Sequence, residues 1–438
     1  MINVLINAYA CSPSWGSEPG MAWNWISNLA SYCNLYIITE GEWKDEIEEA
    51  VRKHPHKEHL HFYYNPVSEK IRKMCWNQGD WRFYWYYRKW QRKTLAIAKQ
   101  LCLEHRIDVL HQLNMIGFRE PGYLWKIKDI PFVWGPVGGM EMMSRGFLAD
   151  VPLKIKIALY VKNFINNIQR SYQPRVIKAL DRAGGLLAAT KGVYDFITEY
   201  HHKEVVLLNE TGCYERELPK KDLNKKYFDI VWVGKFDYRK QVGLAIECME
   251  RLKDCKEVKL HIIGSGSDSE SKRYHDMAGR LALTDKIEWY GRIPNAEVQQ
   301  IMRKGDVFLF TSIMEGTPHV VLEAIQNGLP VICFDACGQS GVVNEKIGIK
   351  IEMTNKTKAI IDFADAIRKL YDDRNQLHAM ADNCKQRQKE LSWDSKAKIM
   401  VGMYEKAIDK HNRSRTIPSE FITGEAVRKR LNEPHCII

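Results

Sequence analysis

Short apolar runs recur along the chain, and longer stretches with helical periodicity separate them. In the first half the runs fall at 2–9, 35–39, 61–64, 107–111, 131–134, 184–190 and 204–208. In the second half they fall at 228–234, 260–266, 287–292, 306–311 and 330–333. Each has the length of a strand, and the segments between them carry helical spacing, so the pattern predicts an α/β protein in which strands and helices alternate. Helices are expected to begin near Met21 and to run over 155–172, 358–371 and 393–408, with a further aromatic and basic helical stretch over 69–99. Over 155–172, Ile157, Val161, Phe164, Ile165, Ile168 and Tyr172 form one apolar face, and Lys156, Lys162, Asn163, Asn166 and Arg170 lie opposite. Such a helix either packs on its own domain or lies on an anionic lipid surface.

At 438 residues the chain exceeds one typical core, and two domains of about 200 residues each are expected. The polar stretch 213–226 reads as a linker between a first domain at 1–212 and a second at 227–388. Residues 389–410 read as a C-terminal helix, and 411–438 as a basic tail. Eleven cysteines without paired C-x-x-C spacing suit a reducing compartment and neither a zinc site nor a disulfide framework. The opening segment does not read as a secretory signal, and no apolar run approaches a membrane span. A cytoplasmic protein, soluble or peripheral on the inner face of the membrane, is the expectation.

Lysine and arginine outnumber aspartate and glutamate by 65 to 54. The surplus is concentrated between Glu69 and Lys99, where nine basic residues face two acidic ones among Trp76, Trp81, Phe83, Tyr84, Trp85, Tyr86, Tyr87 and Trp90. Aromatic rings with cations suit a membrane surface. They also suit single-stranded nucleic acid, but a non-catalytic RNA or membrane binder leaves the rest of the motifs unused, and nucleic acid is not an expected partner.

The chemistry centres on Glu315-Gly316-Thr317-Pro318-His319-Val320-Val321-Leu322-Glu323, set between the runs at 306–311 and 330–333. It reads as strand, tight loop, helix, strand, with Thr317 as N-cap, Pro318 at the first helical position and Gly328 at the C-terminal cap. The first-turn amides of His319 and Val320 make this terminus a candidate anion site. Lys235 and Lys240 follow the strand at 228–234, and two cations so spaced can clamp a diphosphate from two sides. Gly16 and Gly20, in the first strand–helix loop, and Gly135, Gly138 and Gly139, after the strand at 131–134, allow close backbone approach in a cleft.

Glu315 and Glu323, separated by seven residues at a helix start, resemble the signature of the retaining family 4 glycosyltransferases, also called glycosyl transferases group 1. The resemblance extends over most of residues 1–410. It implies a GT-B fold, two Rossmann-like doubly wound domains facing each other across a cleft, with the helix at 389–410 crossing back to the first domain. It also implies transfer of a sugar from a nucleotide diphosphate sugar to a glycan or lipid-linked saccharide, in surface polysaccharide biosynthesis. An epimerase or phosphorylase on the same fold is the rival enzyme. As the resemblance implies, Glu315, His111 and Lys240 are catalytic, His111 facing the acceptor side of the cleft. Gly16, Lys235, Lys240, Gly264, Ile293, Gly316, Thr317, His319, Val320 and Glu323 bind the donor. Lys235 replaces the arginine usual at its position, and Leu113 stands where a second histidine is common. No cofactor or metal is expected, in keeping with the absence of any Asp-x-Asp triplet from the sequence.

Overall fold

The computed structural model describes residues 1–416 apart from 78–79, 149–150, 152, 222–224 and 317. The apolar runs form two sheets. The first holds β1 (Ile2–Ala8), β2 (Cys33–Thr39), β3 (Leu60–Tyr64), β4 (Val109–Asn114), β5 (Phe132–Val137), β6 (Ala183–Ala188) and β7 (Val206–Leu207), in the order β3-β2-β1-β4-β5-β6-β7. The second holds β8 (Phe228–Val233), β9 (Val258–Ile263), β10 (Ile287–Gly291), β11 (Val307–Phe310), β12 (Val331–Phe334) and β13 (Gly348–Ile351), in the order β10-β9-β8-β11-β12-β13. All paired strands run parallel. Helices cover both faces of such sheets, which is why β4, β5, β11 and β12 are buried along their whole length. The strand order reverses between β1 and β4 and between β8 and β11, and the loops leaving those carboxyl ends are where an open α/β sheet presents its ligands.

Five helices frame the cleft and its flanks: α1 (Ser17–Leu29), α2 (Arg82–Glu104), α3 (Leu153–Tyr172), α4 (His319–Gln326) and α5 (Trp393–Thr416). The first begins at Ser17 and not near Met21, because Pro19 falls in the first turn, where its missing N–H costs no hydrogen bond. In α5, Trp393, Ala397, Met400, Met403, Tyr404 and Ala407 are buried in the core built on β1 and β2, and Trp25 meets Trp393 edge-on at 5.7 Å. The chain thus returns to its first domain. In the opposite direction Met143, Phe147, Leu148 and Val151 join the core of the second domain, with Phe147 edge-on to Phe334 at 5.3 Å.

α3 is inside out. Leu159, Asn166 and Ser171 are its buried residues, and its asparagines hold it down: Asn163 Nδ2 donates to Met143 O at 3.0 Å and Asn166 Nδ2 to Glu141 O at 2.9 Å. The apolar face looks outward, with Leu153 71% and Phe164 67% exposed and Ile157, Val161, Ile165, Ile168 and Tyr172 also open. The aromatics of the basic segment divide. Phe83, Tyr87 and Trp90 join Tyr9 and Trp43 in a core cluster, whereas Trp76, Trp81, Tyr84 and Trp85 are exposed. No helix among the described residues is long and apolar enough to cross a membrane.

Candidate active site

The loop from β11 to α4 is fixed at its far end by backbone geometry. Gly328 takes φ +64°, its N–H bonds Ile325 O at 3.1 Å, and Leu329 N–H bonds Ala324 O at 3.0 Å, the pairing that closes a helix on a left-handed residue. At the near end, α4 begins at His319, and Pro318, expected inside the helix, is the capping residue with ψ 95°. Its carbonyl accepts the first intrahelical bond, from Val321 N–H at 3.0 Å, so the amides of His319 and Val320 head the helix. Thr317, the expected cap, lies outside the described residues.

Immediately before this terminus, the Glu315 carboxylate pairs with the Lys240 ammonium and accepts from Ser312 Oγ at 3.1 Å. Both charged side chains are about four-fifths buried, at 20% and 18% exposure. The Lys240 ammonium also lies 5.3 Å from the centre of the Phe310 ring. The loop carrying Lys240 is stitched to the end of β11: Thr311 Oγ1 donates to Lys240 O at 2.7 Å, Ile313 N to Arg239 O at 2.8 Å, and Trp232 Nε1 to Thr311 Oγ1 at 2.9 Å. Two segments 75 residues apart thereby act as one rigid unit. Arg239 pairs with Asp237 at 2.8 Å, and that contact, aided by the Glu315 charge, raises its pKa. Arg239 and Ser312 were absent from the expected set. Only the adjacency of Arg239 to Lys240 could have pointed to it.

Beside this unit the ends of β8, β9 and β10 form a shelf of bare backbone. Gly264 has φ +134°, and a Cβ there would sit 1.8 Å from Gly234 O. Its N–H donates to Gly291 O at 2.8 Å, and Gly234 N–H donates to Ile263 O at 3.0 Å. Glycine at 264 is thus required by the close approach of the Gly234 carbonyl. Lys235 is exposed at the edge of the shelf, and Ile293 is part-buried beyond β10. Glu323 is held from the same side, its Oε2 accepting from Gln299 Nε2 at 3.0 Å. The sequence carried no signal for Gln299. His319 lies between the two glutamates: desolvation lowers its pKa, and Glu323 and Glu315 pull it back up. Gly316 is exposed, and its carbonyl packs so tightly on Gly338 that a Cβ at 338 would lie 1.6 Å away.

The first domain contributes differently from expectation. Gly16 is exposed at the head of α1, with open space around it. His111 does not face the cleft. It is 0% exposed, with Nε2 2.7 Å from Gly135 O and Nδ1 2.7 Å from the Tyr404 hydroxyl. A carbonyl only accepts, so Nε2 carries the proton and Nδ1 accepts from Tyr404. Burial pushes its pKa down to about 4, which keeps the ring neutral. The expected acceptor-side histidine is therefore a strut between β4, β5 and α5. Its direction follows from the alternation of side chains along β4, which turns position 111 toward α5.

Known proteins match this arrangement at two levels. Residues 214–387 match the family model described as glycosyl transferases group 1. Lipopolysaccharide 1,6-galactosyltransferase of Escherichia coli K12 is 37% identical over 110 residues, 24% of this chain and 29% of that protein. An Escherichia coli protein named UDP-Gal:alpha-D-GlcNAc-diphosphoundecaprenol alpha-1,3-galactosyltransferase is 32% identical over 130 residues, 28% of this chain and 30% of that one. The match thus spans about a third of these relatives' length. Over the whole molecule, the solved apo form of the lipopolysaccharide outer core galactosyltransferase WaaB superposes with a TM-score of 0.57 at 16% identity, covering 95% of this chain and 100% of that one. The second domain is accordingly a glycosyl transferases group 1 domain, carried in a chain with the two-domain GT-B architecture of those enzymes.

Proposed function

We propose that the protein transfers a sugar from a nucleotide diphosphate sugar to a saccharide acceptor carried on a lipid, in the assembly of a surface glycan. The observation that carries this reading is the Lys240–Glu315 unit, with cations, helix-terminal amides and a glycine shelf converging on one rim of the cleft. The leaving diphosphate gathers negative charge as the glycosidic bond breaks. Lys240, with Lys235 and Arg239 near it and the amides of His319 and Val320 ahead of α4, supplies fixed positive charge where that negative charge develops. Because protein groups provide this stabilisation, the reaction proceeds without a divalent ion. Glu323, oriented by Gln299, binds the ribose hydroxyls, and Glu315, oriented by Lys240 and Ser312, holds the donor sugar. Retention follows from attack on the face that the diphosphate leaves, with the leaving phosphate taking the acceptor proton. The similarity of 28% of this chain to a protein named for UDP-Gal and a diphosphoundecaprenol-linked GlcNAc supports a uridine donor and a lipid-linked acceptor.

The membrane part of the proposal rests on α3. Its sequence holds Lys154, Lys156, Lys162 and Arg170 and no acidic residue, and its exposed side is apolar. An amphipathic helix of this kind lies in the interface of an anionic bilayer. Arg119 donates to Gln169 and Asn166 of α3. Burial lowers the pKa of Arg119, and the Tyr84 side chain opposes that shift. Incubation with UDP-hexoses and a diphosphoundecaprenol-linked saccharide in the presence of EDTA tests the activity. Release of UDP coupled to extension of the lipid-linked saccharide is expected, and release of UDP without extension contradicts the acceptor class.

A further inference from the structure

Where the ends of β5 and β6 face those of β12 and β13, the two domains line an open cavity of about 560 Å³. It lies apart from the Glu315–Lys240 unit and has residues from both domains, Glu141, Arg170 and Lys191 from the first and Asp335, Lys350 and Met353 from the second. Resting on the glycosyltransferase reading, we propose that this cavity is the subsite for the acceptor's uncharged sugar, with Glu141 binding one of its hydroxyls.

Four observations converge. The cavity falls within the range of about 300–1,000 Å³ typical of small-ligand sites. It is contiguous with the donor loop: Cys337, in its wall, accepts from Lys191 N–H at 3.1 Å through its carbonyl and sets its Sγ 3.5 Å from Ile313 O. The next residue, Gly338, is the one packed on Gly316. The cavity wall at Cys337 thus packs against the back of the loop bearing Glu315, the placement an acceptor needs near a donor sugar.

Among the residues lining the cavity the four acids Glu141, Asp195, Asp335 and Glu352 outnumber the three cations Arg170, Lys191 and Lys350, and each cation is engaged. Lys191 pairs with Asp195 at 2.7 Å and Lys350 with Asp335 at 3.2 Å, and Arg170 Nη1 donates to Met140 O at 2.9 Å. Cations committed in this way leave no excess positive field for a phosphate. Donors and acceptors in alternation beside the apolar surface of Met142 and Met353 suit a pyranose. Finally, Oε1 of Glu141 is buried and has no hydrogen-bond partner, a state that proteins avoid unless a ligand completes it. Gly192 opposite leaves the space for that side chain, since a Cβ there would meet Glu141 Cγ at 2.8 Å. Burial pushes the Glu141 carboxyl up to about 7, so near neutral pH it both donates to and accepts from hydroxyls.

The test is saturation-transfer NMR on the full chain with UDP present, using methyl α-galactopyranoside, methyl α-glucopyranoside and N-acetylglucosamine as probes. At least one probe is expected to receive saturation from the wild-type protein. Glu141→Ala, which removes the hydroxyl partner, and Met353→Trp, which fills the cavity from the other domain, are each expected to cut that signal by about fivefold or more, the loss of one hydrogen bond or its equivalent. Glu141→Gln keeps the shape of the side chain and guards against loss of fold. UDP affinity, read separately by calorimetry, is expected to stay unchanged in all three variants. Signals that persist in both Glu141→Ala and Met353→Trp, or that appear for none of the three sugars, overturn the proposal. Absence of UDP binding in the wild type instead overturns the transferase reading on which it rests.

Discussion

Replacing His111 by leucine separates a structural histidine from a catalytic one. The side chain is fully buried and bridges Gly135 O and the Tyr404 hydroxyl at 2.7 Å each. Its loss leaves two buried polar groups without partners, each costing about 1–3 kcal/mol, for a total of about 2–6 kcal/mol. Against a stability of about 5–15 kcal/mol for a domain, the effect is readily measured. With an m-value of about 2–3 kcal/mol/M, the urea midpoint followed by tryptophan fluorescence is expected to fall by about 0.7–3 M. Tyr404→Phe strands only Nδ1 and is expected to cost about half as much. In the double variant the two apolar side chains face each other, so the combined loss is expected to fall short of the sum by about 1 kcal/mol or more. Turnover per folded molecule is expected to change little. A large drop in kcat in His111→Leu with an unmoved urea midpoint, or strictly additive losses in the cycle, would refute the strut and return His111 to the chemistry.

Other outcomes are equally specific. Lys240→Ala removes a charge-assisted contact from an enclosed site and is expected to lower kcat/KM by about 2 kcal/mol, roughly 30-fold, in steady-state kinetics. Glu323→Ala is expected to raise KM for the donor, whereas Glu315→Ala lowers kcat, and coincident effects of the two would contradict their separate roles. Burial pulls the Lys396 ammonium, which donates to Asn209 O at 2.7 Å, down to about 7. Between that value and about 10.4 for the unfolded chain, the unfolded state holds the extra proton, so this residue makes stability rise with pH across that window. Lys396→Met is expected to flatten the rise in chemical unfolding series, and an unchanged slope counts against it. Phe164→Glu with Ile168→Glu on α3 is expected to abolish flotation with anionic vesicles at low salt while leaving the melting temperature in place, and retained flotation would remove α3 from the membrane contact.

Much of this was legible because long-range order in α/β proteins follows from short apolar runs. Twelve of the thirteen strands coincide with such runs, and only β13, at a sheet edge, lacks one, because Ile347, Ile349 and Ile351 alternate there with Gly348 and Lys350. The two-glutamate loop was legible because proline, glycine and the apolar strands around it leave few conformations. Direction was harder to read. The periodicity of 155–172 shows an apolar face and a polar face, but not that the asparagines face the protein. In a strand buried along its whole length, such as β4, nothing in the local pattern says which core a histidine enters. Arg239 and Gln299 were missed for a related reason: each is placed by a partner far along the chain, Arg239 by the loop after β11 and Gln299 by α4.

The central claim is that a nucleoside diphosphate binds across the glycine shelf, between Lys240 and Glu323. Isothermal titration of UDP, GDP and ADP in EDTA tests it directly, with the wild type, Lys240→Ala and Glu323→Ala compared at one pH. One of the three nucleotides is expected to bind the wild type and to bind both variants at least about tenfold more weakly, the effect of about 1.4 kcal/mol lost from each contact. Failure of all three to bind the wild type, or equal affinity in wild type and both variants, would contradict the account.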